Sequence, residues 1–512
     1  MAIKTFAAIE VGSSHLALKI YEISKRLGFR ELDHVRYIIS LGVDTYSRGV
    51  IGYEKVNEIC DVLKKFRFKM DEYQVDDYTA VGGSALREAK NRDLIVDQIF
   101  VKTGLKVNII SNAQQRFYIF KSVAYKMKNF EQLIGEGAAI VDLGAGSLQV
   151  SCFEDGVLAS SQNIKLGSLR IREILAELEG HTTSFVDVME DYIGNDMRTL
   201  RRLRLKDHKM RHMIVVGEEF SSIVNYVSMT KNKEFLTGEQ FNKIYNKLRK
   251  STPPEIADKY GIPYEVASVI VPSSIIYKRL LDSTTVEKLW EPQADMCDGL
   301  AVDYSERVEK FVLSHNFEKD ILNCMRNMTK KFESSEEHIK NVEMLALKLF
   351  DGMKKISGLS GRHRLLLQLA AMLHDCGKYV SMAESIKASY ELIRLTEIIG
   401  LSETEKEMVA HIVLYNSYGE IPDYESEKLD MTKEDFIAVI KMAAMLRLCN
   451  SMDRSHKQKI ENIRISIKDH ELKLTADTIY DLTLEQGTVK ARAHMFEEIF
   501  GLVPVLRQKR TA

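Results

Sequence analysis

No Cys-x-x-Cys pair occurs in the chain. Its six cysteines, Cys60, Cys152, Cys297, Cys324, Cys376 and Cys449, are scattered. That spacing excludes a disulfide framework and predicts reduced thiols in a cytoplasmic protein. An excess of one charge is also missing. Lys and Arg number 72 against 73 Asp and Glu, a formal net charge of −1. Duplex nucleic acid is bound by basic domains, so no DNA partner is expected, although local patches can still take anions. Long hydrophobic runs are absent too. The greasiest late stretch, Val266 to Leu281, is broken by Pro272, serines and charges, and no run reaches the roughly 18 apolar residues of a membrane helix. The amino terminus lacks a basic segment followed by a clean apolar one, so neither a signal peptide nor a membrane partner is expected. No low-complexity segment occurs.

What is present is an ordinary soluble balance, 45% hydrophobic and 28% charged over 512 residues, enough for two to four domains as a soft prior. The first third alternates strand and helix signals. Thr5 to Ile23 is apolar, turns at Gly12 and resumes with alternating apolar residues, the pattern of a β-hairpin. Val56 to Met70 has helical spacing. Tyr78 onward predicts a strand, a glycine turn and a helix. Val107 to Met127 predicts a short strand and a helix capped at Ser111 or Asn112. The strand–acid–glycine turn–strand pattern recurs at Ala138 to Ala159, which predicts duplicated α/β halves facing one another across a cleft. Five of the seven prolines fall between Pro253 and Pro292, suited to loops. From about Ser305 helical periodicity takes over, with some strand character returning near Ile460.

The chemistry-bearing residues sit in the two glycine turns. Gly12, Ser13 and Ser14 form one; Gly144, Gly146 and Ser147 form the other. Successive N–H groups in such turns make an anion nest, and the acid ending each strand, Glu10 or Asp142, can hold Mg²⁺ against phosphate oxygens. A single glycine turn between strands is usually only a turn; two equivalent copies point to phosphate. Arg87, read at a helix start, suits phosphate oxygens, while alone it would read as a surface ion-pair residue. The basic run Met197 to His212 could guide a polyanion or be a solvated helix face.

"AAIEVGSS", "ALREAKN" and "IVDLGAGS", in this order and spacing, resemble the exopolyphosphatase/guanosine pentaphosphate phosphatase (Ppx/GppA) family. The resemblance continues through "KLGSLRIREIL" and "VASVIVPSSII" to "DMCDGLAVDY", over roughly the first 305 residues. It implies an α/β fold of two actin/Hsp70/sugar-kinase-like (RNase H-like) domains flanking a cleft. The following part resembles an α-helical HD-like domain, carried by "EEHIKNVEMLALKLFD", "LAAMLHDCGKYVS" and "LRLCNSMDRSH". The expected division is 1–130 and 131–305 for the two α/β domains, 306–475 for the HD-like domain and 476–512 for a tail.

The resemblance implies hydrolysis of terminal phosphoanhydrides, in polyphosphate or guanosine pentaphosphate, with Mg²⁺. Glu10 and Asp142 would hold metal, the two loops and Arg87 would hold phosphate, and a homodimer through the helical domain is expected. The chain departs from the family pattern at specific positions. Glu10 stands for the family's Asp. Gln115 replaces the Glu taken as the base that activates water, and an amide can orient water but not accept its proton near neutral pH. Gln149 replaces another acid. Glu218 and Glu219 occupy the place of a Gly-Gly-Thr turn and would repel a polyphosphate if they faced the cleft. In the HD-like domain His338, His374 and Asp375 are candidate ligands of a second divalent metal. The fourth position reads as neutral Asn450, and further expected histidines as Lys387 and Asn416; without metal these residues would form a structural hydrogen-bond network. The sequence thus predicts either a weakened exopolyphosphatase-like hydrolase, with Gln115 positioning water, or a catalytically impaired sensor of polyphosphate or a guanine alarmone. An HD-type phosphohydrolase is a third possibility.

Overall fold

The computed structural model describes residues 4–24, 28–182, 184–206, 208–224, 234–418, 420–427 and 431–510. It divides into two compact units, Met1–Asp320 and Ile321–Ala512.

The first unit holds two sheets built the same way. One contains β1 (Lys4–Val11), β2 (His15–Ser24), β3 (Gly28–Ile38), β4 (Asp77–Gly82) and β5 (Val107–Ile109), in the order β3-β2-β1-β4-β5. β1 pairs antiparallel with β2 and parallel with β4. The other contains β6 (Ala138–Leu143), β7 (Leu148–Glu154), β8 (Val157–Ile164), β9 (His212–Val216), β10 (Phe235–Thr237) and β11 (Lys288–Trp290), in the order β10-β11-β9-β6-β7-β8. Here β6 pairs antiparallel with β7 and parallel with β9. The repeated sequence unit is thus a repeated topology, the two-domain actin-like arrangement. β1 and β6 are buried on both faces, Phe6 to Ile9 and Ala138 to Leu143 alike.

Two expectations about this unit need correcting. The second domain does not run unbroken to 305. The helix Met296–Glu309 returns to the first sheet, where Tyr304 stacks on Phe6 at 4.2 Å. Its buried Asp298 lies 3.2 Å from Lys19 and 3.3 Å from Lys126, and accepts a hydrogen bond from Tyr21 at 2.9 Å. A buried carboxylate needs such partners, and the first sheet and its helix supply them. The prolines are also not confined to loops. Pro253 and Pro254 open the helix Pro253–Tyr260, where the missing N–H has no intrahelical role. Pro272 lies inside Tyr264–Asp282, where it forgoes the bond to the carbonyl of Ser268.

In the second unit the helices Glu336–Ser357, Gly361–Leu373, Glu403–Tyr415 and Lys433–Met452 bury Leu345, Leu369, Val409 and Leu446 among one another. A sheet follows: β12 (Asn462–Lys468), β13 (Glu471–Thr478) and β14 (Val503–Arg510). The expected boundary between 475 and 476 falls inside β13, and β14 pairs parallel with β13. The tail is therefore part of this unit. A parallel pair needs a crossover, and the helices Thr483–Arg492 and His494–Phe500 provide it.

Candidate active site

Both glycine turns open onto one cavity of about 400 Å³ in the first unit. In the first turn the Gly12 N–H donates to the His15 carbonyl at 2.9 Å; in the second, the Gly144 N–H donates to the Ser147 carbonyl at 3.0 Å. The two hairpin turns are equivalent bond for bond. Since these glycine amides are committed, backbone donation to an anion falls to Ser13, Ser14 and Ala145, which also line the cavity. The Ser13 side chain is held in place: its Oγ accepts from the Ala85 N–H at 3.1 Å and lies 3.0 Å from both Tyr46 Oη and Ser84 Oγ.

Glu10 and Asp142 enter the same cavity from the ends of β1 and β6. Glu10 lies 3.6 Å from the His15 ring. Asp142 is 8% exposed, and its Oδ2 has no hydrogen-bond partner. Burial, with the charges of Glu10 and Glu219 beside it, pushes Asp142 up to about 7. Glu10 and Asp142 are the strand-end carboxylates of this cavity that would hold Mg²⁺, an oxygen-seeking cation that would neutralise the charge opposing ionisation of Asp142.

Gln115 lines the cavity from the helix Asn112–Lys126. Its neighbour Gln114 is spent on a capping box with Ser111, which fixes Ser111 as the cap. The Oε1 of Gln115 is buried without a hydrogen-bond partner. Gln149 pairs opposite Asp142 in the β6–β7 ladder, is 2% exposed and does not line the cavity. Glu219 does, as the sequence feared; the side chain of Glu218 lies outside the described residues.

Three other site assignments differ from expectation. Gly146 and Ser147 do not line the cavity; a Cβ on Gly146 would meet Tyr46 and Ser84, so this glycine serves the close approach of the two halves. Arg87 belongs to the last turn of the short helix Ser84–Glu88, not to its start. It donates to the Ile110 carbonyl at 2.6 Å and to Asn112, and does not line the cavity. The guanidinium that does is Arg36 of β3, which burial pushes below its ordinary range while Glu10, Glu219 and Asp295 support its charge. His34, two residues before it, lines the same wall. The alternation of His34 and Arg36 along a strand was the available signal for both. In the basic run, Arg201, Arg202 and Lys206 are exposed and none lines the cavity, while the side chains of Arg204 and Asp207 lie outside the described residues.

In the second unit His338 and His374 meet. The His338 Nδ1 donates to Asp453 at 2.7 Å, since that carboxylate, held below its usual range despite burial, can only accept. The His374 Nδ1 donates to the Ala371 carbonyl at 2.8 Å, and burial pushes His374 down to about 4. Their Nε2 atoms therefore face one another across 3.3 Å as two lone pairs unless His338 is doubly protonated, and a cation between them relieves that contact. The ligand atoms of His338, Asp375 and His456 all lie within 4.8 Å of one another, with the His456 ring stacked 3.7 Å from His338. Asp375 also binds Lys378 at 2.6 Å. Asn450 lines the adjoining pocket, and the acid that the sequence reading missed, Asp453, three residues on, reaches His338. Asn416 turns its amide to the Val413 carbonyl.

Two α/β lobes with duplicated hairpin loops around a carboxylate-lined cavity define a protein of the actin-like two-domain class. The sequence model of the Ppx/GppA phosphatase family matches residues 20–290, and that of Ppx/GppA phosphatase domain III matches 322–496. The chain belongs to the Ppx/GppA phosphatase family. Among curated proteins it is 22% identical over 298 residues to a bifunctional 3-dehydroquinate synthase/phosphatase of Fusobacterium nucleatum, covering 54% of this chain and 43% of that protein. It thus spans less than half the length of that relative. It is 17% identical to a guanosine-5'-triphosphate,3'-diphosphate pyrophosphatase of Photobacterium profundum, covering 92% and 91% of the two chains. An exopolyphosphatase structure from Cytophaga hutchinsonii matches with a TM-score of 0.52 at 19% identity, over 60% of this chain and 99% of that one. The Aquifex aeolicus Ppx/GppA family member matches with a TM-score of 0.50 at 19% identity, over 60% and 99%.

Proposed function

We propose that the chain is a phosphoanhydride hydrolase of weakened rate, releasing terminal phosphate from inorganic polyphosphate or guanosine pentaphosphate. The observation that carries this reading is the shared cavity lined by both hairpin loops, Gln115, Glu10 and Asp142. Ser13, Ser14 and Ala145 bind phosphate oxygens through backbone N–H groups, and Arg36 offsets charge in the place first assigned to Arg87. Glu10 and Asp142 hold Mg²⁺, which supplies neutralisation of the phosphate oxygens when bound. Gln115 orients the attacking water through its side-chain amide but cannot take its proton, which passes to an oxygen of the substrate's own phosphate as the P–O bond to the leaving phosphate breaks. The test is release of orthophosphate from long-chain polyphosphate and, separately, from guanosine pentaphosphate, each with Mg²⁺. Turnover of either supports the hydrolase; tight binding of either without turnover supports a sensor, the second reading that the amide at Gln115 favours.

His338, His374 and Asp375 hold a second divalent cation in the same reading, with His456 adjoining. It is checked by metal content after dialysis against Mn²⁺ or Zn²⁺: His374→Ala is expected to lose one equivalent relative to the wild-type chain. The buried free thiols Cys60, Cys152, Cys297, Cys376 and Cys449 support a cytoplasmic site of action, and sedimentation measures the expected homodimer.

A further inference from the structure

A smaller pocket, of about 130 Å³, lies within the second unit. His374 and Asp375 form part of its wall, and much of the rest is basic. Lys378 comes from the turn Cys376–Tyr379, Arg454 from just beyond the helix Lys433–Met452, and Arg492 from the end of the helix Thr483–Arg492. Asp375 is the one carboxylate lining this pocket among the described residues, and Lys378 Nζ already donates to it at 2.6 Å. Arg454 and Arg492 have no carboxylate partner among the described residues. Their charges act on one another instead: burial, and then Arg454, hold the Arg492 guanidinium below its ordinary range. A third guanidinium adds to this field. Arg447, 9% exposed, donates to the carbonyl of Asn416 at 2.9 Å, and Asn416 lines the pocket. Burial and the charge of Arg492 push Arg447 down in turn, with no carboxylate beside it to support its charge. Buried charges are ordinarily paired; here three arginines share one field without an acid. The helix Ser385–Leu395 acts in the same direction, since its first two residues line the pocket and the free N–H groups of a first turn favour an anion.

We propose that this pocket is an anion site that takes one phosphate group, as orthophosphate or as the end of a longer phosphate chain, between Arg454 and Arg492. Guanidinium forks match phosphate oxygens, and the volume is below the roughly 300 Å³ of pockets that take a whole drug-sized molecule. Neither the cleft of the first unit nor a cation at His338 and His374 enters into this binding, so it is read in the full chain with EDTA, residue by residue. Phenylglyoxal labels accessible guanidinium groups, and peptide mass spectrometry locates each adduct. Orthophosphate or tripolyphosphate is compared with potassium chloride of the same ionic strength. At about ten times the half-protecting concentration, labelling of Arg454 and Arg492 is expected to slow about tenfold, while that of Arg67, exposed in the first unit, is unchanged. Protection by orthophosphate shows that a free phosphate suffices; protection by tripolyphosphate alone assigns the site to the end of a chain. Arg492→Gln is expected to abolish the protection of Arg454. Arg454→Gln, a change at an exposed residue, is expected to abolish that of Arg492 and serves if Arg492→Gln does not fold. Unchanged labelling with both probes overturns the site. So does slowing that reaches Arg67 equally, or protection of Arg454 that survives Arg492→Gln.

Discussion

In the presence of Mg²⁺, Gln115→Glu is expected to release phosphate from long-chain polyphosphate about 10²-fold faster than the wild-type chain, or more. The magnitude is that of a positioned general base. The position is already built: Gln115 lines the cavity with both loops and both strand-end acids, on the first turn of a helix locked by the Ser111–Gln114 capping box. The substitution is close to isosteric, and Gln115 Oε1 has no hydrogen-bond partner to lose. If the wild-type chain is already active and the variant no faster, Gln115 is not a lost base and the protein is an exopolyphosphatase with a modified site. If both are silent, more than the base is missing or polyphosphate is not the ligand.

Asp142→Asn is expected to melt higher than the wild-type chain at pH 8 in the absence of divalent cations, while losing cation binding and turnover. The sign follows from the direction of the shift. The folded protein holds the Asp142 proton up to about 7, against an ordinary value of 3.8, because burial and the charges of Glu10 and Glu219 oppose ionisation. The native state therefore binds this proton more tightly than the unfolded chain. Its stabilising effect is complete below about pH 4 and is lost as pH rises through 7. At about 1.4 kcal/mol per tenfold, the charged form costs on the order of 4 kcal/mol at pH 8. An amide still leaves a buried polar group, so part of this is recovered, and an increase in Tm of roughly 5 °C is expected. The gap should close toward pH 4. Mg²⁺ at pH 8 should raise the melting temperature of the wild-type chain and leave the variant unmoved. Coincident melting curves at pH 8 would mean that the charge is compensated where it sits.

The duplication was legible because a strand, an acid and a glycine turn leave a local imprint. Gly12 and Gly144, 132 positions apart by their numbers, make the same hairpin bond. The cysteines and the absence of a long apolar run were equally local facts, and no helix among the described residues is long and apolar enough to cross a membrane. Arg87 was misread for the opposite reason. Nothing in "ALREAKN" tells that the helix ends at Glu88, or that the guanidinium turns to Ile110. Arg36 was missed because its significance depends on β3 lying beside β2 at the rim of the cleft. Likewise "CNSMDRSH" offers Asn450, Asp453 and His456 within seven positions, and only the packing of two helices decides that Asp453 meets His338.

The sequence by itself determined the family and the two-lobed fold and singled out Glu10 and Asp142 as the strand-end acids, since each rests on a pattern of neighbours along the chain. The tertiary structure alone decided what surrounds that pair. It brought Glu219 across from β9, withdrew Gln149, Gly146 and Arg87 from the cavity, and returned the helix Met296–Glu309 to the first sheet. Burial and the field of approaching charges are properties of space rather than of sequence, and they set the character of Asp142.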